Sequence, residues 1–279
     1  MRTIEEVYGK CVALNDDGLE AIVAPGMGMS LIRFSVGGEQ LLDLDREQAF
    51  LDYRKGLGPI ILPFFGQRKI FPQLDYDIFA HVEHLRKSNV RDPFQHGVGR
   101  YASWAFTEDK NSVTGYLRGD DRLHDCELRD LSGFDFTASL TYSLVGGTLE
   151  ISFDVTADHP VATGIHFYYD LKNRDTASVT IPQKDGMAVM RFDRGLDDVF
   201  KPSGDSEEVT CTLETDSYIL DTRIRTIGPP QDTFDSVVVF SPDSESFACI
   251  EPVSYIVRSE NTKKTNRGKI LLKPTLKSV

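Results

Sequence analysis

Three short segments hold titratable side chains in apolar or turn-forming surroundings: Gln95-His96-Gly97, Gly164-Ile165-His166-Phe167-Tyr168-Tyr169 and Cys249-Ile250-Glu251-Pro252. Two imidazoles and one carboxylate are parts for moving protons. Histidine titrates nearest to neutral pH, and burial tunes a glutamate toward it. Along an extended strand, Ile165, Phe167 and Tyr169 share one face and His166 and Tyr168 share the other. That second face is either another core surface, with the imidazole satisfied by hydrogen bonds, or the floor of a cleft. Glu251 follows an apolar run. A carboxylate rarely sits in such a place without a partner or a task, and desolvation would make it a usable base. The plainer alternative is an edge-strand glutamate facing water, which Pro252 would suit. His96 precedes a glycine, which lets the backbone turn sharply or approach a ligand. It reads equally as a histidine that caps a turn.

Other polar residues lie near these. Arg68 offers a bidentate fork for hydroxyl or phosphate oxygens, or it is a solvated loop arginine. Arg100 and Trp104 follow His96 closely. Trp104 is the only tryptophan; its face would stack on a sugar ring or fill the core. Asp197 and Asp198 are adjacent, so in extended chain only one of them enters a given site. The alternative there is an Asx-type turn.

The elements that position these groups have a period of two. Phe134, Phe136, Ala138, Leu140, Tyr142 and Leu144 alternate with polar neighbours. After Gly146-Gly147 the alternation resumes at Leu149, Ile151, Phe153 and Val155, predicting a hairpin with one buried face. Similar strands are expected at 19–23, 30–36, 101–106, 112–117, 165–171, 209–213, 237–240 and 269–272, with turns between them that include Pro229-Pro230. Only 45–51 and a few loop turns read as helical. Many short strands at regular spacing predict an all-β antiparallel sandwich or barrel. The segment 56–92 lacks periodicity, and a long irregular loop there would wall a cleft. Lys263-Lys264-Thr265-Asn266-Arg267 reads as a solvated loop.

Composition narrows the function. The 279-residue chain carries 31 basic and 43 acidic residues, a formal charge of −12. That argues against nucleic acid and anionic membrane as partners, while leaving room for a local basic pocket. The four cysteines (Cys11, Cys126, Cys211, Cys249) are widely spaced, so neither a zinc motif nor a disulfide framework is expected. No apolar run reaches the roughly 18 residues of a membrane span, and the N-terminus lacks signal-peptide character. A cytoplasmic protein with free thiols is the expectation.

In order along the chain, Gln67-Arg68-Lys69-Ile70, His96-Gly97, His166-Phe167-Tyr168-Tyr169, Leu196-Asp197-Asp198-Val199-Phe200 and Cys249-Ile250-Glu251-Pro252 resemble the motifs of the aldose 1-epimerase (galactose mutarotase-like) family. The stretch Ile22 to Gly28 resembles that family's opening hairpin. The resemblance implies one antiparallel β-supersandwich domain over 1–279 with a sugar cleft on one sheet. It implies interconversion of α and β anomers of an aldohexose, with no metal or cofactor and a small sugar as the partner of a monomer or homodimer. Glu251 would take the proton of the C1 hydroxyl and His166 would protonate the ring oxygen. His96, Arg68, Asp197, Arg100, Gln67 and Trp104 would bind the sugar. Gln67 stands where the family has asparagine, and Leu272-Lys273-Pro274-Thr275 departs from its Leu-x-Pro-Gly. His96-Gly97-Val98-Gly99-Arg100 also resembles the hexose-6-phosphate 1-epimerase segment, so a phosphorylated sugar is one alternative. A non-catalytic sugar-binding sandwich is another, but it would need no acid/base pair.

Overall fold

The computed structural model describes residues 3–183, 186–201, 208–226, 234, 236–254 and 265–277. Two large antiparallel sheets form the body. The larger has nine strands in the order Gly186–Arg191, Ser178–Gln183, Glu208–Glu214, Tyr218–Thr226, Thr265–Leu276, Thr148–Ala157, Phe136–Val145, Ser112–Arg118 and Ala105–Asp109. The predicted hairpin is there. Phe136–Val145 pairs with Thr148–Ala157 from Phe136↔Ala157 to Val145↔Thr148, around Gly146-Gly147. Its inward residues Leu140, Tyr142, Leu149 and Ile151 are fully buried.

The second sheet has the order Leu196–Phe200, Ser236–Ser241, Phe247–Val253, Gly164–Ile165 and Ile60–Ile61, with Tyr168–Asp170 also paired to Phe247–Val253. Both its faces are covered. Val237, Val239, Ala248, Ile250, Phe167 and Tyr169 join the main core shared with the nine-stranded sheet. Val238, Val253 and Ile61 form one small cluster apart from that core. Tyr168, Phe247 and Cys249 form another. Seven consecutive buried residues in Phe247–Val253 follow from this double cover, Glu251 among them. A four-stranded sheet, Val12–Asp16 to Glu39–Gln40, packs onto the same core.

Several expectations change. The stretch 165–171 is two strands, because His166 donates its N–H to Pro59 and Tyr168 to Leu57 in the neighbouring loop rather than continuing one ladder. Residues 101–104 are not strand; a 3-10 turn at Val98–Arg100 leads to the strand Ala105–Asp109. Segment 56–92 contains a helix, His81–Lys87, that buries His81, Val82 and Leu85. The helical reading of 45–51 becomes a 3-10 turn Leu44–Arg46 and a helix Glu47–Tyr53. Leu196–Phe200 is a strand paired with Ser236–Ser241, not a turn. Thr265-Asn266-Arg267 open the last long strand, with Asn266 buried and bonded to Ser254. Pro229-Pro230 and Lys263-Lys264 lie outside the described residues. No helix among the described residues is long and apolar enough to cross a membrane.

Candidate active site

A cavity of about 430 Å³ opens on the outer face of the second sheet, within the size range of small-molecule sites. Glu251 and His166 meet there. Period two sends Ala248 and Ile250 into the core and Cys249 and Glu251 outward. Tyr168 pairs with Cys249 across the ladder, which sets His166 beside Glu251. His166 Nε2 lies 3.2 Å from Glu251 Oε1, without hydrogen-bond alignment. Neither ring nitrogen of His166 nor Glu251 Oε2 has a hydrogen-bond partner among the described residues. Unpartnered buried polar atoms are uncommon and costly. Here they converge on one cavity.

Burial sets the protonation of this pair. It pushes the Glu251 carboxyl up to about 8; the Arg100 guanidinium opposes the rise and Asp197 adds to it. Burial holds the His166 imidazole well below its usual range, helped by Arg100 and Lys55. At neutral pH the pair therefore holds one proton, on the carboxyl in the unliganded cavity. At 3.2 Å the two groups are close enough to act as one unit in proton transfer.

His96 faces the same space. Its backbone is left-handed, with φ of 64°. Its N–H donates to Gly66 and its carbonyl accepts from Leu62. Nδ1 accepts the Gly66 N–H at 3.2 Å, so the ring proton is assigned to Nε2. The ring stands edge-on to His166 at 5.0 Å, and burial keeps it neutral. His96 is thus a fixed neutral donor. Gly97 has a φ of 91°, and a Cβ there would lie 1.9 Å from the Leu62 carbonyl, so only glycine fits. Gly28 presses against the Arg100 backbone in the same way, with 2.3 Å between an added Cβ and the Arg100 carbonyl. The opening hairpin thereby seats the turn from His96 to Arg100.

The structure brings Gln67, His96, Arg100, His166, Asp197 and Glu251 to the cavity. Asp198 faces a different surface hollow, as the alternation of an extended strand requires. Gln67 also accepts the Arg91 N–H. Two candidates are elsewhere. Arg68 makes a buried fork on Asp92, with Nε to Oδ2 at 2.9 Å and Nη2 to Oδ1 at 3.0 Å. It also caps the Leu131 and Ser132 carbonyls and stacks over Phe64, so its donors are spent on structure. Trp104 is buried in the core and donates its indole N–H to Gly99 at 2.9 Å.

Sequence reasoning missed Lys55, Phe65, Tyr168 and Phe240, which also line the cavity. Tyr168 stacks parallel to His166 at 4.9 Å; its shared strand face was the available signal. Nothing in the Arg54-Lys55-Gly56 stretch distinguishes Lys55 from a solvated lysine.

Across their whole lengths, solved structures share this architecture. A Synechocystis sp. protein is 18% identical, with a TM-score of 0.69 over 99% of this chain and 100% of its own. A galactose mutarotase related enzyme from Lactobacillus acidophilus is 16% identical, with a TM-score of 0.64 over 96% and 98%. The fold is galactose mutarotase-like. An aldose epimerase homologue from C. elegans adds a TM-score of 0.66 at 12% identity over 96% and 99%. No protein-family model and no curated protein matches the chain. At these identities the likeness concerns the galactose mutarotase-like fold alone.

Proposed function

We propose that this chain is an aldose 1-epimerase that interconverts the α and β anomers of a hexose. The observation that carries the reading is the contact of Glu251 with His166 in a cavity of this fold, 3.2 Å apart and buried, with both His166 ring nitrogens and Glu251 Oε2 lacking hydrogen-bond partners among the described residues. Anomer exchange needs a base at the C1 hydroxyl and an acid at the ring oxygen, acting together. A sugar entering the cavity supplies hydroxyls and displaces the pair's proton from carboxyl to imidazole. Glu251 then removes the C1 hydroxyl proton while His166 protonates the ring oxygen, and the ring opens to the aldehyde. Rotation about C1–C2 presents the other carbonyl face, and closure runs the same transfers backwards. His96 Nε2–H and Arg100 donate to sugar oxygens, Asp197 and Gln67 accept from hydroxyls, and Phe65, Phe240 and Tyr168 offer apolar faces.

A specific observation favours a second substrate. Lys55 and Arg100 line the cavity with no ion pair among the described residues, and Arg100 Nη2 is buried without a partner. Burial and Arg100 lower the Lys55 ammonium. Two cations without an ion pair among the described residues, in a chain of charge −12, suit an anionic sugar such as a hexose 6-phosphate. NMR exchange on freshly dissolved α-D-glucose, α-D-galactose and glucose 6-phosphate tests both readings. Faster exchange of any one supports the epimerase, and the preferred sugar selects the branch. Tight sugar binding without faster exchange would favour a binding module instead.

A further inference from the structure

We propose that His166, Cys249 and Glu251 form a site for a thiophilic divalent cation, zinc foremost, on the floor of the cavity, and that metal there shuts the cavity to sugar. The inference shares two side chains with the proposed reaction, but metal binding does not depend on that reaction.

One ligand atom from each residue lies within 4.8 Å of the others, and all three residues are buried. Cys249 and Glu251 are two apart on one strand and so project from the same face. His166 arrives from the neighbouring segment through the Tyr168↔Cys249 pairing. A second observation points to a ligand: both His166 ring nitrogens and Glu251 Oε2 lack hydrogen-bond partners among the described residues. These atoms are not committed to holding the fold.

The chemistry of the set selects the metal. Imidazole nitrogen, thiolate sulfur and carboxylate oxygen together match zinc and poorly match magnesium or calcium. Tetrahedral zinc with bonds of about 2.0–2.3 Å holds its ligand atoms about 3.3–3.8 Å apart. The His166–Glu251 contact at 3.2 Å is already near that spacing. Rotation of side chains by about an ångström closes the rest. Cys249 lies behind the cavity wall, while His166 and Glu251 line it, so the fourth position of a three-ligand site falls on their side, where a sugar oxygen would otherwise sit. Thiolate and carboxylate cancel the two charges of the ion. Burial pushes the Cys249 thiol and the Glu251 carboxyl toward their neutral forms, with Arg100 opposing in both, so metal must displace their protons, and Arg100 and Lys55 also repel an arriving cation. A site filled by added metal and emptied by a chelator follows, rather than one loaded permanently.

The test adds cobalt(II) or zinc chloride alone to metal-free protein. Cobalt should bind one equivalent and give a thiolate-to-cobalt charge-transfer band in the near ultraviolet. Zinc should displace it. The band should persist in a Cys11→Ser/Cys126→Ser double variant and vanish in Cys249→Ser, whose circular dichroism confirms folding. If Cys249→Ser does not fold, His166→Gln should weaken cobalt binding about tenfold or more. Zinc should also slow anomer exchange, reversed by EDTA, with about tenfold more zinc needed in Cys249→Ala. No band, a band unchanged in Cys249→Ser, or equal zinc sensitivity of wild type and Cys249→Ala would overturn the proposal. A band that follows Cys249 in a protein that turns over no sugar would sustain the metal site and sink the epimerase reading.

Discussion

The pH dependence of turnover follows from the coupled pair and runs against first intuition. A general base with a pKa of about 8 ordinarily predicts a rate that rises with pH. Here the acid and the base share one proton, because burial keeps His166 from holding its own. The working state carries that proton on His166 with Glu251 ionised; the resting state carries it on Glu251. Both have the same proton count, so both persist up to about pH 8. Above that value the pair is empty and nothing protonates the ring oxygen. The one-proton fraction is about 10/11 at pH 7 and about 1/11 at pH 9, so kcat/KM should fall about tenfold between them. The assay is NMR exchange between anomers, corrected for the buffer-catalysed rate. Arg100→Met removes the cation that opposes the rise, so the falling limb should move to higher pH. Asp197→Asn removes an anion and should move it lower. A rate that climbs through pH 8, or a limb that neither variant displaces, would refute the shared-proton reasoning.

The same carboxyl predicts a stability cost. Its folded value of about 8 exceeds the ordinary 4.5, so the folded state holds the proton more tightly and stability falls as pH rises from about 4.5 to 8. Glu251→Gln removes that slope, and denaturant titration at pH 9 should find it a few kcal/mol more stable than wild type. Arg68→Ala should lose about 3 kcal/mol by stranding the buried Asp92, while its kcat/KM stays near wild type; a large activity loss in folded protein would return Arg68 to the cavity. Gly97→Ala should lose about 3 kcal/mol or fail to fold, because its Cβ meets the Leu62 carbonyl; an unchanged melting temperature contradicts the close packing. Lys55→Met should lower kcat/KM for glucose 6-phosphate about tenfold relative to glucose; an unchanged ratio removes the case for an anionic substrate.

The sandwich was legible because alternation is a direct imprint of a sheet with one buried face. The hairpin around Gly146-Gly147 and the opposed faces of Ile165 to Tyr169 needed only period two. The break at His166 was not legible, because it depends on Pro59 and Leu57, carbonyls more than 100 residues away. Helix His81–Lys87 escaped notice because its barely two turns bury three residues amid charge, too few for a helical period. At the site, the residue types of His96, His166 and Glu251 signalled chemistry, but their convergence was expected only through the family resemblance. Arg68 and Trp104 show the limit. Each sits next to a cavity segment, yet adjacency does not say which way a side chain turns, and Asp92 and the Gly99 carbonyl claimed them. Lys55 shows the reverse, a lysine made notable only by the burial around it.

The central claim is that Glu251 and His166 exchange protons with a sugar at its anomeric centre. The most direct measurement is NMR exchange on α-D-glucose, α-D-galactose and glucose 6-phosphate with wild type, Glu251→Gln and His166→Ala at pH 7. The account predicts acceleration of at least one sugar by wild type and its loss, by about 100-fold or more, in both folded variants. Acceleration that survives both substitutions would contradict it.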